Sequence, residues 1–321
     1  MKHFCTLLFI SMTFSLAYSQ QPAQYSLYML NPMGFNPAYV GLDNSLSITG
    51  VFRRQWAGLN GSPTTQNLSA HAPVYLLSGG LGINIENDAL GARQFTSASL
   101  AYAYQKPLLG GTISLGLSGG MLQYQLDGSK IRTPDGDYSE PGNINHNDDK
   151  LPLSAENVMV PAFHAGIYFI NEWMDAGFAV RNLNEGEAAF STINLSLQRS
   201  FNFNLGFRFY VGDDLAVQPS ALVRSDLTQT QTDLSVILRY NDNIFGGASL
   251  RGYNANSLDA VAIIAGFKLS EKITLAYAYD LTLSDLSAVS NGSHEITLNY
   301  NLNKVFGKGR LPGVIYNPRS L

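Results

Sequence analysis

The run Phe201-Asn202-Phe203-Asn204-Leu205-Gly206-Phe207-Arg208-Phe209-Tyr210-Val211 sets a large apolar side chain at every odd position. Asn, Gly, Arg or Tyr stands at every even one. Such alternation cannot form a stripe on a helix. On an extended chain, where successive side chains point to opposite faces, it makes one face apolar and the other polar. The pattern recurs upstream at Leu81, Ile83 and Ile85 against Gly82, Asn84 and Glu86. Downstream, Ile273, Leu275, Tyr277, Tyr279 and Leu281 oppose Thr274, Ala276, Ala278 and Asp280. Ile296, Leu298, Tyr300 and Leu302 oppose Thr297, Asn299, Asn301 and Asn303.

Extended along the chain, the same reading predicts strands over 45–56, 64–74, 79–87, 92–106, 111–125, 158–170 and 173–183. It continues with 199–212, 214–224, 228–241, 244–254, 257–269, 271–282 and 292–304. That even number of strands suits a closed bacterial outer-membrane barrel. The links sort by length as well. Short turns such as Asn171-Glu172, Gly212-Asp213 and Ser270-Glu271 follow even strands. Longer or more polar links, among them 57–63, 126–157, 184–198 and 283–291, follow odd ones. Barrels of this class have short periplasmic turns and long extracellular loops, whereas an exported β-sandwich, the rival fold, gives no reason for such sorting. The fold expected is therefore all-β, a transmembrane antiparallel β-barrel of about 14 strands over 45–304.

Composition agrees. Of 321 residues, 14% are charged and 45% hydrophobic, 11% are aromatic, and the net charge is −4. A disordered chain would be richer in charge and poorer in aromatics. After residue 19 no apolar run approaches the roughly 20 residues of a spanning helix. With pI ≈ 5.7 and no basic run, nucleic acid is not an expected partner. Mean hydropathy near zero is what results when lipid-facing and lumen-facing residues alternate. Tyr75, Tyr102, Tyr104, Tyr168, Trp173, Tyr210, Tyr240, Tyr253 and Tyr300 fall near strand ends, where aromatic girdles meet lipid headgroups.

Residues 1–19 read as a cleaved signal peptide, with Lys2, an apolar core over Leu7–Leu16 and small residues Ala17 and Ser19 before the cut. The single Cys5 would leave with it, so no disulfide framework is expected. Residues 20–44 do not alternate. Tyr28, Asn31, Asn36, Pro37 and Tyr39 lie in this polar, aromatic stretch, whose two Asn-Pro pairs mark turns. Such a segment ahead of a barrel either plugs the lumen or docks a periplasmic component. Residues 305–321 form a tail on the periplasmic side.

Sites for chemistry are sparse. His71, His146, His164 and His294 stand in no nucleophile-elbow or zinc-hydrolase context, though His294-Glu295 beside Asp285 offers the elements of a proton relay. Loop 126–157 carries Asp135, Asp137, Glu140, Asp148 and Asp149 but lacks the twelve-residue calcium-loop pattern, so neither a metal nor another cofactor is assigned. Arg208, Arg239 and Asp280 take lumen parity and are expected to neutralise one another. The chain reads as a non-enzyme.

Several strings, in order along the mature chain, resemble the PorP/SprF family of type IX secretion outer-membrane proteins. They are Asn36-Pro37-Ala38-Tyr39-Val40-Gly41, Arg53-Arg54-Gln55-Trp56 with Gly61-Ser62-Pro63-Thr64, Gly80-Leu81-Gly82 followed by Asp88 and Gly91, and Gly292-Ser293-His294-Glu295-Ile296. The resemblance implies a barrel working with secretion or gliding machinery in the outer membrane. In one branch it anchors or assists a large secreted adhesin through that protein's C-terminal domain. In the other it joins the core machinery, linked to periplasmic lipoprotein or peptidoglycan-binding components. A diffusion porin is the alternative outside the family. On the strands above, Arg53, Arg54, Trp56, Pro63, Asp88, Gly91, His294 and Glu295 fall at the outer mouth and the seam between first and last strands. They would either grip a partner at the rim or hold the seam together.

Overall fold

The computed structural model describes residues 23–139, 144–253 and 257–304; the expected signal peptide and C-terminal tail lie outside them. Fourteen antiparallel strands close into a barrel. They are β1 (Ser47–Arg54), β2 (Thr64–Val74), β3 (Gly79–Leu90), β4 (Arg93–Leu108), β5 (Gly111–Asp127), β6 (Ala155–Ile170) and β7 (Met174–Arg181). The remainder are β8 (Ser200–Phe207, resuming as Phe209–Val211), β9 (Leu215–Ser225), β10 (Thr230–Tyr240), β11 (Ile244–Tyr253), β12 (Ser257–Ser270), β13 (Ile273–Thr282) and β14 (Ser293–Asn301). Each strand pairs with its sequence neighbours, and β1 closes on β14 from Ser47↔Asn301 to Arg54↔His294. Closure removes the unpaired edge that lipid cannot satisfy.

Burial is inverted relative to a soluble protein. Leu100, Leu117 and Met159 stand about two-thirds exposed on the outer wall, while Ser47, Asp233 and Glu295 are at or near full burial inside. Phe203 and Leu234 point out between neighbours Asn202, Asn204, Asp233 and Ser235 that point in. Alternation therefore supplies an apolar belt for lipid and a polar lumen. Trp173, Tyr210 and Tyr240, each at least half exposed, ring the short-turn end. Tyr168 does not join this girdle. Its parity turns it inward, where it is 2% exposed and packs edge-on against Tyr39. Tyr253 lies outside the described side chains.

The wall is uneven in height. Strands β4 to β6 run 16, 17 and 16 residues, whereas β1 has 8 and β14 has 9. At about 3.3 Å per residue, the long strands rise well past the lipid belt at the long-loop end, taken as the outer end by the loop rule. Above them loop 182–199 folds into a hairpin, Glu187–Ala189 with Asn194–Ser196. Its Ala188, Phe190 and Leu197 pack on Tyr124, Leu126 and Val160 of the inner wall and roof that side of the mouth.

A fourteen-stranded lumen is too wide for side chains alone to fill, and residues 23–46 occupy it. Three short 3-10 turns, Tyr28–Leu30, Pro32–Gly34 and Pro37–Tyr39, compact the segment. Pro32 and Pro37 begin two of them, each preceded by Asn, and the Asn36 side chain caps the third by accepting from the Ala38 N–H at 3.0 Å.

Candidate functional site

The plug descends from the outer mouth to the short-turn end. At the top, Arg224 donates to the Ala23 carbonyl at 2.9 Å, and Gln55 donates to Gln24 at 3.2 Å. Tyr25 donates to Glu86 at 2.6 Å. Burial, reinforced by that carboxylate, holds the Tyr25 phenol well above its ordinary range. Midway, Tyr28 meets Ser220 at 2.9 Å, and burial pushes its phenol up to about 12, so it remains a neutral hydroxyl. Asn31 bonds Asn67 and Ser69 of β2, and Asn36 donates to the Ile167 carbonyl of β6 at 3.1 Å. At the bottom, the Gly41 N–H donates to His71 at 3.2 Å and Tyr39 donates to Asp43 at 2.7 Å.

The wall is cut to receive this backbone. A Cβ on Gly116 of β5 would collide with the main chain of Pro37 and Ala38. Gly41, at φ +81°, lies against Gly80 of β3, where a Cβ would come within 2.7 Å of the opposing Cα.

The strongest hold is a buried ion network at Ser26. Arg53 of β1 reaches Asp280 of β13 at 2.7 Å and Glu295 of β14 at 3.0 Å. Arg251 of β11 reaches the same Asp280 at 3.0 Å and Asp233 of β10 at 2.7 Å, and Arg224 of β9 meets Asp233 at 3.1 Å. Three guanidiniums thus match three carboxylates. Ser26 sits at their centre with no exposed surface. Its hydroxyl donates to Asp280 at 2.7 Å and accepts from Arg53 at 2.8 Å and Arg251 at 3.0 Å. Glu295 accepts the Ser26 and Leu27 N–H groups at 2.7 and 3.0 Å. A buried ionic cluster tolerates desolvation only when its hydrogen bonds are met, and here the plug meets several of them.

This corrects the expected pairing of Asp280 with Arg208 and Arg239. Period two places all three inward, but Arg208 donates to the Glu172 carbonyl at the short-turn end and Arg239 lies over the Phe245 ring. Asp280 is near the outer end, beyond their reach, and pairs with Arg53 and Arg251 instead. Nothing in the sequence reading singled out Ser26, Arg224, Asp233 or Arg251.

The rim candidates divide by parity. Arg53 and Glu295 face the lumen and belong to the network. Arg54 and His294, their neighbours in sequence, are opposite one another on the outer wall, where His294 meets Tyr277 at 2.7 Å. His294 and Glu295 thus lie on opposite faces of β14, and no relay joins them. The Trp56 backbone N–H donates to the Ser293 hydroxyl at 3.1 Å, and across the seam the Ala57 N–H donates to the Gly292 carbonyl at 2.7 Å while the Ala57 carbonyl accepts from the Asn291 N–H at 2.6 Å. The buried Pro63 accepts from the Gln55 N–H at 2.9 Å, closing the loop between β1 and β2. Gly91, at φ +58°, donates to the Gly61 carbonyl at 3.0 Å, and Asp88 accepts from Thr65 at 2.6 Å. His146 is buried inside its loop between Tyr138 and the Pro152 carbonyl. Among the described residues no group of three or more His, Cys, Asp or Glu is placed to hold a metal ion.

The plug leaves cavities above and below it, and a further one lies beside Gln24 at the seam, lined by Trp56, Arg251 and Asp280. The outer one, about 1180 Å³ counted to its open mouth, lies between the plug at Met33–Pro37, the wall at Glu86, Asp88 and His164, and the roofing loop at Leu197. The inner one lies toward the short-turn end beneath Tyr28 and is lined by Ile237, Phe245 and Ile264.

A family model described as "Type IX secretion system membrane protein PorP/SprF" matches residues 17–300, which includes the plug and nearly the whole barrel. The chain belongs to the PorP/SprF family. It is therefore a type IX secretion membrane protein whose barrel belongs in the outer membrane. No curated protein matches the sequence. Among solved structures, this PorP/SprF chain is similar to the Ralstonia pickettii toluene transporter TbuX, with 10% identity, 88% and 94% of the two chains covered and TM-score 0.48. It is also similar to the Acinetobacter baumannii outer membrane protein Omp33, with 7% identity, 80% and 96% covered and TM-score 0.46. A third likeness is to the CymD monoaromatic hydrocarbon channel, with 12% identity, 87% and 99% covered and TM-score 0.44.

Proposed function

We propose that this barrel is a non-enzymatic partner in type IX secretion that holds a large secreted surface protein, an adhesin, by its C-terminal domain at the outer mouth. The observation that carries this reading is the latched plug. A lumen crossed by a segment pinned at Ser26 to four strands, and through Arg251 and Asp233 to two more, suits a gripping mouth better than a solute pore. The uneven rim supports it as well: tall β4–β6 walls, a roofing hairpin and an outer vestibule leave the mouth open over the low seam side. The Arg53–Pro63 and Gly292–Glu295 strings build that low side, and Asp88 and Gly91 adjoin it.

The test is co-purification from the native host in mild detergent, followed by mass spectrometry. The reading expects a large secreted protein that is lost when its C-terminal domain is truncated. Recovery of periplasmic lipoprotein or peptidoglycan-binding proteins alone would favour the core-machinery branch. A barrel recovered without companions would count against both.

A further inference from the structure

We infer that the cavity at the seam binds a neutral saccharide. It lies where the outer ends of β1, β12, β13 and β14 meet. β1 ends at Arg54, and Trp56, two residues on, sits at φ +50°, a left-handed conformation uncommon for so large a side chain. The bonds from Trp56 and Ala57 to Ser293 and Gly292 fix it there. The 3-10 turn Asp285–Ala288 beyond β13 and Asp259 near the start of β12 complete the wall. Of the plug's described residues only Gln24 lines this space. At about 850 Å³ counted to its open mouth, it falls within the range of about 300–1,000 Å³ usual for ligand pockets.

The lining side chains leave hydrogen bonds unmade. Among the described residues the Trp56 ring stacks on no other ring or guanidinium, and its indole N–H meets no acceptor. Gln55 donates its amide to Gln24 at 3.2 Å, and its side-chain oxygen receives no bond from a described residue. The carboxylates of Asp259 and Asp285 likewise accept from no described residue, and one oxygen of Asp259 is buried. A buried acceptor without a donor is rare in a folded protein. Arg251 also lines the cavity, but Asp233 and Asp280 hold it at 2.7 and 3.0 Å.

These groups select the ligand. An unstacked aromatic ring calls for an apolar face to lie against it. An indole N–H calls for an acceptor, while two carboxylates and an amide oxygen call for several donors. A basic side chain brings donors only, because ammonium and guanidinium groups accept nothing. An anion is repelled by Asp259 and Asp285. Among the described residues no three of His, Cys, Asp or Glu are placed to hold a metal ion. A sugar ring meets every demand, with C–H groups to stack on the indole and hydroxyls that both donate and accept. The inference stands apart from the gripping role proposed above.

The test uses the full-length protein in an amine-oxide detergent, which carries no sugar headgroup. The chain has 2 tryptophans, so Trp173→Phe leaves Trp56 as the sole reporter of emission. On a printed array of neutral and acidic oligosaccharides, neutral ones should be retained. A retained sugar, added free in solution, should shift the Trp56 emission saturably. Asp285 is exposed and its side chain makes no bond with a described residue. Asp285→Ala should therefore keep the fold and raise the dissociation constant about tenfold, the loss expected for one hydrogen bond to a charged group. Lipopolysaccharide purified from the host will compete if the membrane is the source of the sugar, and will not if the source is a soluble or protein-borne glycan. No retention on the array would overturn the inference. So would an emission response to N-acetylarginine amide but to no sugar, or a sugar response unchanged by Asp285→Ala.

Discussion

Ser26 is the residue on which the plug turns. Its hydroxyl stands between two guanidiniums and the carboxylate of Asp280 in a place water does not reach. Hydrogen bonds to charged groups are each worth about 1.5–3 kcal/mol. Ser26→Ala should therefore lower stability by about 2–3 kcal/mol, read as a shift in the urea unfolding midpoint in detergent. Asp280→Ala goes further, because it leaves Arg53 and Arg251 buried with one carboxylate fewer, a loss of about 3–5 kcal/mol. The parity of Arg53, Asp280 and Glu295 is legible in the sequence. Their meeting is not, because it depends on how far each strand is staggered round the barrel, and alternation carries no information about stagger. The same limit explains the misplaced pairing of Asp280 with Arg208 and Arg239. Which face a side chain takes can be read from its neighbours, but its height on the wall cannot.

At the scale of elements, the plug is a short chain with a direction. Ala23 lies under the outer mouth beside Arg224, and Asp43 lies at the short-turn end near His71. Ala23→Cys should then react with a membrane-impermeant maleimide added to intact cells, and Asn44→Cys should not. The opposite result would invert the plug. The backbone of Pro37 and Ala38 rests directly on β5, so Gly116→Val should lift the plug without touching the ion network. Its expected signature is cleavage near Ala38 by protease added to the purified barrel, with heat-resistant barrel mobility retained on gels. The strands themselves were open to reading, since period two, turn residues and loop sorting all agreed. The plug was legible only as a break in that pattern. Its Asn-Pro pairs predict turns, but nothing local tells a lumenal turn from a periplasmic one. The roofing hairpin over 187–196 and the interruption at Arg208 were likewise hidden, because each depends on a neighbouring element rather than on its own sequence.

For the whole molecule, an inside-out distribution of polarity, an uneven rim and a latched plug together describe a barrel whose lumen is crossed by its own N-terminal segment. Fourteen strands enclose more space than side chains fill, and the chain fills it with its own N-terminal segment, held at the top by charge and lower down by close backbone approach to glycine. Single-channel recording of the full-length protein in planar bilayers tests this most directly. The native barrel should show no steady conductance, and Asp280→Ala should show flickering openings as the plug loosens. A large, steady conductance from the native protein would contradict a plugged lumen and return the molecule to the diffusion porins.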